Sequence, residues 1–254
     1  MGYFVDKVIL KSLAPKGRLR AGINLSNFLL VPEVLNDGTP TGTSPDVAMR
    51  VATELGVECE FITFDGPGLL ADASAEDKWD IGNIANEAAR ASVMDFTRPY
   101  ALIDAHFLVQ KNSRLRNNQD VDTSEVTVAT PERTAYDLWL TENLRNASIR
   151  RAGSMSGARE LFTSGRATVL AGLKPALMEE VVKNPQYEIL QPMFTAIKQA
   201  IGIKKGNPQA LAFLNQMVAE MVSSGFIYES LLRHNVQDKL TVAPQDIPLG
   251  APIK

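Results

Sequence analysis

The sequence predicts an α/β fold built mainly from parallel strands. Short apolar segments rich in β-branched residues alternate with amphipathic segments along most of the chain, and this alternation is typical of βαβ units. The length of 254 residues is enough for one large domain or for two lobes of about 100–150 residues each. No apolar run approaches the roughly 20 residues that a membrane-spanning helix needs.

The first half of the chain begins with a predicted strand over Arg18–Asn24, followed by a loop rich in Pro, Asn, Asp and Gly over 32–42. Ser44-Pro45-Asp46 then predicts a helix start, because serine is a good N-cap, proline fits the first helical position and aspartate suits the positive end of the helix dipole. The predicted elements that follow are a helix end at Gly56, strands over Glu58–Phe64 and 79–84, and a helix over 69–75.

The second half continues the same alternation after a polar linker over 111–122. Predicted strands cover 107–110, 126–130, 149–151, 168–171 and 195–204, and predicted helices cover 133–144, 156–164, 175–183, 207–223 and 227–233. The order of elements therefore favours parallel sheets in both halves of the chain.

The composition excludes several classes of function. Lys and Arg number 26 and Asp and Glu number 29, so the net charge is −3, which argues against a nucleic-acid binder. The single cysteine, Cys59, excludes an internal disulfide and a cysteine-cluster metal site. His106 and His234 are too far apart for a local zinc motif, and neither has a Ser or Asp at a spacing typical of a triad. We therefore expect no metal and no cofactor.

The beginning of the chain leaves its location open. The first 17 residues carry Asp6, Lys7, Lys11 and Lys16, and they lack the apolar block and small-residue cleavage site of a secretory signal. Two interpretations follow: the protein is cytosolic, or a leader has been removed and replaced by a new start.

Several separated motifs have the order and spacing of a known family. The most specific is Arg90 followed by Asp95-Phe96-Thr97-Arg98-Pro99-Tyr100. The others are Gly17-Arg18-Leu19-Arg20-Ala21-Gly22-Ile23-Asn24, residues 38–42 leading into Ser44-Pro45-Asp46-Val47-Ala48, Trp79-Asp80-Ile81-Gly82, Thr134-Ala135-Tyr136-Asp137-Leu138-Trp139-Leu140 and Gly165-Arg166-Ala167-Thr168. On these motifs the chain resembles the periplasmic solute-binding proteins of ABC transporters, specifically the amino-acid type (bacterial extracellular solute-binding protein family 3).

The resemblance implies a two-lobed, type II periplasmic-binding-protein fold, in which each lobe is a mostly parallel sheet flanked by helices. Residues 1–108 plus 198–254 would form lobe 1, and residues 109–197 would form lobe 2. Two crossing strands would make the hinge, and the ligand would sit in the cleft between the lobes.

Arg90 is the sharpest candidate for ligand binding. It follows the strand that contains Asn83, in a loop at the carboxyl edge of the sheet, where α/β proteins usually hold ligands. In similar proteins, an arginine six residues before the Phe-Ser/Thr pair binds the carboxylate of the ligand, since a guanidinium presents paired donors. The alternative is a surface arginine that pairs with Glu87.

The segment around Asn83 and Ala85 would contact the same carboxylate. Members of the family often have Ser or Thr donors here, whereas this chain has Ala85 at the position of the usual hydroxyl. Asn83 would supply the missing donor from two residues earlier, and the alternative is that Asn83 only satisfies a turn.

Thr134 and Arg133 occupy the start of a predicted helix, which is a natural anion site. Thr134 matches the Ser or Thr of a turn that meets the carboxylate from lobe 2, unless it only caps its helix. Arg133 stands where the family often has glycine, so it either adds a second cation or reshapes the turn.

Leu173 is the most informative departure from the family. Similar α-amino-acid binders have an acidic residue here that binds the ammonium group, and residues 165–173 contain no acid. A buried ammonium without a carboxylate would cost several kcal/mol. Either the ligand lacks a free α-amine, or another group such as Glu33 supplies the charge.

Asn24, Asn27 and Phe28 follow the first predicted strand, where the family places a lid over the ligand. The two asparagines would donate amide hydrogen bonds and Phe28 would stack on the ligand. The alternative is a loop that only turns the chain, with Phe28 packed in the core.

The resemblance favours a receptor that captures a small carboxylate-bearing solute, an amino acid or a related organic acid, and delivers it to an ABC permease. We expect a periplasmic monomer that is not an enzyme. The alternatives are an enzyme on the same fold, similar to cyclohexadienyl dehydratases, and a soluble sensor module. The enzyme needs an acid for proton transfer in the region of Leu173, where this chain has none.

Overall fold

A computed structural model describes residues 5–244, and the chain divides into two units. The first unit contains the chain up to Leu102 and from Lys198 onward, and the second unit runs from Ile103 to Ile197. Both boundaries fall inside long strands, β7 (Ala101–Gln110) and β12 (Thr195–Lys204), so the chain passes between the units twice in extended conformation. These two strands and the α/β architecture confirm the predicted fold class.

The first unit is built on three parallel strands, in the order β4-β1-β5. Its strands are β1 (Arg18–Asn24), β2 (Glu33–Val34), β3 (Pro40–Thr41), β4 (Glu58–Phe64), β5 (Ile81–Ala85), β6 (Met94–Phe96) and β13 (Thr241–Val242). Its helices are α1 (Lys7–Leu13), α2 (Thr43–Leu55), α3 (Pro67–Asp72), α4 (Ala88–Ala91), α8 (Pro208–Ser223) and α9 (Phe226–Arg233). Strand β12 lies antiparallel to both β5 and β6.

The second unit repeats this arrangement with β9, β8 and β10 as its parallel strands. Its remaining strands, β7 and β11, are antiparallel to each other, and β7 also pairs antiparallel with β10. The elements are β8 (Thr127–Pro131), α5 (Ala135–Asn143), β9 (Ser148–Ala152), α6 (Met155–Thr163), β10 (Val169–Leu173), α7 (Lys174–Lys183) and β11 (Tyr187–Ile189).

Each unit has its own apolar core. In the first unit, Trp79 is fully buried among Leu70, Ile84 and Met94. In the second unit, Leu108, Phe162 and neighbouring residues of α6 and α7 pack together. Trp139 is only partly buried, and its ring packs on Phe194 with the centroids 5.0 Å apart.

The start of α2 differs from the prediction. Gly42 is the N-cap and Thr43 the first helical residue, so Ser44 lies inside the helix and does not cap it. Gly42 has φ +138°, and a Cβ at this position would lie 2.2 Å from the carbonyl oxygen of Leu30. The close approach of this backbone, which only glycine allows, sets the helix start.

Other element boundaries shift by a few residues. The helix predicted over 69–75 is α3 followed by a 3₁₀ turn over Ala73–Glu76, and the predicted linker over 111–122 contains a 3₁₀ turn over Asn118–Val121. Within residues 5–244, no single helix has the length and apolarity to cross a membrane. Pro208–Ser223 and Phe226–Arg233 meet the length and composition criteria only as a pair, and they are bent by 65°.

A buried ion pair ties the start of β5 to β1. Arg20 and Asp80 are 4% and 6% exposed, and the guanidinium donates to both carboxylate oxygens, at 3.1 Å from Nε and 2.7 Å from Nη2. The hydrogen bond to Asp80 raises the pKa of Arg20, although desolvation opposes this shift. Arg18, two residues earlier, instead pairs with Glu60 at the surface.

We therefore expect Asp80→Ala to lower the free energy of unfolding by about 3 kcal/mol, because it removes the buried carboxylate of Arg20 and leaves only the exposed carboxylate of Asp77, 3.1 Å from Nη2. Glu60→Ala removes the exposed ion pair with Arg18, which lies on the same strand as Arg20. This change should cost about 1 kcal/mol or less. Urea unfolding of the two variants measures the difference, and equal losses would contradict the interpretation.

His106 on β7 makes the stability of the protein depend on pH. Its ring is 2% exposed, Nδ1 lies 2.9 Å from the carbonyl oxygen of Leu190, and Nε2 has no hydrogen-bond partner among the described residues. Desolvation lowers the pKa of His106, although the hydrogen bond to Leu190 opposes this shift. The unfolded chain, with a histidine pKa of about 6.5, then binds the proton more readily than the folded protein.

The free energy of unfolding should accordingly be highest above about pH 6.5 and fall as the pH drops from there toward the lowered pKa of His106. His106→Gln, which stays neutral, should reduce this loss. Urea unfolding of both proteins between pH 5 and pH 8 measures it. Parallel pH profiles for the two proteins would show that His106 does not contribute.

Candidate functional site

The candidate residues of the first unit lie at one edge of its sheet. Strands β4, β1 and β5 are parallel, so their carboxyl ends, at Phe64, Asn24 and Ala85, meet at the same edge. This edge is where open α/β sheets usually bind ligands. The structure therefore brings the loop after Asn24 and the segment after Asn83 together.

Asn83 is the polar side chain buried inside this edge, at 2% exposure. Its backbone pairs with Ile23 of β1 and with Ile201 of β12. The side-chain oxygen accepts a long hydrogen bond of 3.5 Å from the Tyr100 hydroxyl, whereas Nδ2 is buried and has no partner among the described residues. An unsatisfied buried donor costs about 1–3 kcal/mol, so this NH₂ group calls for an explanation.

Arg90 is buried beside the same strand. It lies in the single-turn helix α4, not in the expected loop, and it is 4% exposed, so the alternative of a surface arginine is wrong. Nη1 donates to the carbonyl oxygen of Ala85 at 3.0 Å. This contact holds the guanidinium against the backbone two residues beyond Asn83. Ala85 itself contributes a carbonyl group and a small, buried side chain.

The side-chain oxygens of Asn24 and Asn27 accept hydrogen bonds from within the loop after β1. The side-chain oxygen of Asn24 accepts from the backbone N–H and the hydroxyl of Ser26, and that of Asn27 accepts from the N–H of Leu30. The turn interpretation therefore explains these oxygens. Phe28 is 41% exposed, so its predicted alternative place in the core is wrong.

In the second unit, Thr134 and Leu173 also lie at the carboxyl ends of parallel strands. Thr134 follows β8 and Leu173 ends β10, and these two strands pair in parallel. The Thr134 hydroxyl accepts from the N–H of Asp137 at 3.2 Å and donates to the carbonyl oxygen of Pro131 at 3.0 Å. Thr134 is therefore the N-cap of α5, as its alternative interpretation predicts.

Arg133 adopts a left-handed backbone conformation, with φ +61°, and its side chain is exposed. Its N–H donates to the buried carboxylate of Asp137 at 2.7 Å, and the other oxygen of that carboxylate accepts from Nε of Arg151 at 2.8 Å. Arg133 thus adopts the left-handed conformation that glycine adopts most readily, although it stands where the family often has glycine.

Leu173 is partly buried and directly precedes α7. The acids that follow it in α7 do not replace the missing carboxylate, because Glu179 is exposed and Glu180 forms an ion pair with Arg159 at 2.8 Å. Glu33, the other acid considered from the sequence, is exposed on β2.

Two residues of the first unit, Tyr100 beside Asn83 and Ser44 beside Tyr100, were missed as candidates. Tyr100 is fully buried and its hydroxyl lies 3.1 Å from the Ser44 hydroxyl. Tyr100 belongs to the Phe-Thr-Arg-Pro-Tyr motif, and Ser44 had been interpreted as a helix cap. The sequence signal that could have identified Ser44 is a hydroxyl residue at a buried position of α2. That position becomes evident only once the helix is known to start at Thr43.

A second polar cluster joins α2 to α9. Asp46 accepts from the Ser230 hydroxyl at 2.6 Å and lies 3.0 Å from Nε2 of His234 and 3.3 Å from Nη2 of Arg233. These distances are all to the same carboxylate oxygen, so His234 does not bridge the serine and the aspartate as a catalytic triad requires. Between residues 5 and 244, no three His, Cys, Asp or Glu side chains group as a metal site.

Comparison with protein families matches most of the chain. The model of the bacterial extracellular solute-binding proteins, family 3, matches residues 31–235. Among curated proteins, the L-cystine-binding protein TcyJ of Escherichia coli is 24% identical over 87% of this chain and 84% of its own length.

Solved structures with the same fold include several binding proteins. The solute receptor for L-cysteine of Neisseria gonorrhoeae has a TM-score of 0.72 and 20% identity, over 94% of this chain and 100% of that one. A putative ABC-transporter binding component of Wolinella succinogenes, complexed with lysine, has a TM-score of 0.70 and 22% identity, over 86% and 95%. The ancestral amino acid-binding protein AncCDT-1, a precursor of cyclohexadienyl dehydratase, has a TM-score of 0.69 and 25% identity, over 88% and 98%.

The capping role of Thr134 predicts a stability effect. Thr134→Ala should lower the free energy of unfolding by about 1 kcal/mol and Thr134→Ser should retain most of it, because serine keeps the capping hydroxyl. Ser154→Ala, which removes the N-cap of α6 in the same unit, is the matched control and should cost a similar amount. Urea unfolding measures all three, and an unchanged Thr134→Ala protein would mean that the cap contributes nothing.

Proposed function

Since the chain belongs to the bacterial extracellular solute-binding proteins, family 3, we propose that it is a receptor for a small carboxylate-bearing solute, an amino acid or a related organic acid. Two buried groups at one sheet edge carry this proposal. They are the guanidinium of Arg90 and the NH₂ group of the Asn83 carboxamide, which has no partner among the described residues. Both groups are hydrogen-bond donors, and a carboxylate offers only acceptors.

Arg90 is proposed as the carboxylate anchor. A guanidinium carries five N–H donors in a planar fork, and a carboxylate accepts two of them in parallel. The hydrogen bond from Nη1 to the carbonyl of Ala85 fixes the plane of this fork. Asn83 would add one further N–H to the same ligand, in the place of the hydroxyl that Ala85 lacks.

The loop after β1 is proposed as a cover for the ligand. The oxygens of Asn24 and Asn27 are already bound within the loop, so what these side chains offer a ligand is their NH₂ groups. Phe28 is exposed and is available for stacking.

The second unit is proposed to contact the ligand through the start of α5. The Thr134 hydroxyl is occupied as donor and as acceptor, so the backbone N–H groups of the first helical turn are the groups that would meet an anion. Arg133 would add a positive charge from its exposed side chain, and Leu173 would line the same sheet edge with an apolar surface.

We further propose that residues 1–108 plus 198–254 and residues 109–197 act as the two lobes of a receptor that closes on its ligand. Delivery of the ligand to an ABC permease, a periplasmic location and a monomeric state belong to the same proposal. The names of the structural neighbours, which include a solute receptor and an ABC-transporter binding component, support it.

A non-enzymatic role is part of this proposal. The sheet-edge residues include donors and a leucine where a proton-transferring acid would be needed, and the curated relatives are named as binding proteins. Incubation with prephenate and with arogenate provides the test, because formation of an aromatic product would favour the dehydratase alternative instead.

The anchor role of Arg90 predicts a loss of binding on mutation. We expect at least one acid in a thermal-shift screen of amino acids and their deaminated acids to raise the melting temperature, since a ligand at 100 times its Kd stabilises a protein by about 2.7 kcal/mol. In calorimetry, Arg90→Gln should weaken binding of that acid by about 10- to 100-fold, the range for a hydrogen bond to a charged group.

Arg18→Gln, which removes an exposed arginine of β1, serves as the control and should bind normally. Unfolding curves establish that both variants are folded. Equal affinity of Arg90→Gln and the unmodified protein for the acid would contradict the carboxylate anchor.

A further inference from the structure

Asn83 is the end of a chain of three buried side chains in the first unit. The Ser44 and Tyr100 hydroxyls are 3.1 Å apart, and the Tyr100 hydroxyl donates to the side-chain oxygen of Asn83 at 3.5 Å. All three residues are 3% exposed or less. The chain therefore links the start of α2 to the carboxyl end of β5 with no contact to solvent.

With the side-chain oxygen of Asn83 facing Tyr100, as in the structure, the protons in this chain have one arrangement. A phenol has a single proton, so when Tyr100 donates to Asn83, it must accept from Ser44. Burial raises the pKa of Tyr100, so the phenol keeps this proton at neutral pH. The oxygen of Asn83 is then occupied, and its NH₂ group remains on the side away from Tyr100, where the described residues offer no acceptor.

The backbones of Asn83, Tyr100 and Ser44 are each fixed by hydrogen bonds to neighbouring segments. Asn83 is paired in the sheet with β1 and β12, and the N–H of Tyr100 donates to Gln199 at 2.8 Å while its carbonyl accepts from Ala243 at 3.1 Å. The N–H of Ser44 donates to Leu30 at 3.1 Å. The backbone positions of the three residues are thus fixed, and turning the carboxamide over would require the hydroxyl protons of Tyr100 and Ser44 to reverse their directions.

We propose that Ser44 and Tyr100 are positioning residues that fix the Asn83 carboxamide with its NH₂ group toward the ligand, so that this position selects an anionic oxygen acceptor and rejects an ammonium group. The inference rests on the proposed receptor function and specifies the ligand class of the same site. With the amide turned over, its oxygen would face the ligand and would favour an ammonium, so the orientation set by Tyr100 decides between the two.

The charges near the two sheet edges agree with this ligand class. Arg90 is the buried cation beside Asn83, and in the second unit Arg133 and Lys174 are exposed next to the ends of β8 and β10. The buried Asp137 already accepts from Arg151 and from the N–H of Arg133. At the sheet edge of the first unit, an anionic ligand would therefore meet a buried cation and an N–H donor.

Two series of probes test the ligand class by calorimetry. They are L-cysteine, 3-mercaptopropionate and cysteamine, and L-lysine, 6-aminohexanoate and cadaverine, so that each amino acid is compared with its deaminated acid and its decarboxylated amine. We expect the acid of at least one series to bind as tightly as its amino acid or tighter, and the amine to bind at least 10-fold more weakly.

A double-mutant cycle tests the positioning role. With the tightest-binding acid, Tyr100→Phe and Ser44→Ala should each weaken binding about fivefold to tenfold, the range for one neutral hydrogen bond. In an Asn83→Ala background, Tyr100→Phe should have no further effect, because Tyr100 acts through Asn83. Tyr187→Phe, which alters a buried tyrosine in the core of the second unit, is the control and should leave binding unchanged.

The outcomes separate the two proposals. Absence of binding in both series, or binding that Arg90→Gln does not affect, would overturn the proposed function itself. Arg90-dependent binding of an acid together with additive effects of Tyr100→Phe and Asn83→Ala would overturn only the positioning role. An amine that binds as tightly as its acid, and more tightly to Asn83→Asp, would show that the oxygen of Asn83 faces the ligand.

Discussion

The requirement that buried polar groups be hydrogen-bonded governs the polar interior of this protein. Arg20 is matched by Asp80, and Asp137 is matched by Arg151 and the N–H of Arg133. Each of these groups would be strongly destabilising without its partner. The unpartnered NH₂ of Asn83 differs from the unpartnered Nε2 of His106 in its position, because it lies at the edge where open α/β sheets usually bind ligands.

The fold explains why the donors collect there. Parallel strands end at the same edge, so the loops that follow β1, β4 and β5 are brought together although they are far apart in sequence. The second unit repeats this with β8 and β10, and there the proposed source of N–H groups is the helix start at Thr134, in place of a buried side chain. In both units, the proposed donors thus lie at the carboxyl ends of parallel strands. They are side chains in the first unit and backbone N–H groups in the second.

The sequence was sufficient to predict the central parallel strands of each unit, because periodic apolar segments report on local structure, and a specific motif made Arg90 a candidate. It did not predict the short strands β2, β3, β6, β11 and β13. It was not sufficient for the partners of Asn83. Tyr100 is 17 residues away from Asn83 and 56 residues from Ser44, so their contacts depend on tertiary packing. The burial of Arg90 and the exposure of Phe28 depend on the same packing, and the start of α2 depends on the approach of Gly42 to Leu30.

The central claim is that the Asn83 NH₂ group is a donor held in place for the ligand. Side-chain amide NMR spectra, with the Asn83 signals assigned by their loss in Asn83→Ala, test it directly during titration with 3-mercaptopropionate and 6-aminohexanoate. Saturation with the acid that binds should shift both Asn83 NH₂ protons and slow their exchange with water more than for any other asparagine. Unchanged Asn83 signals in the presence of a bound acid would contradict the account.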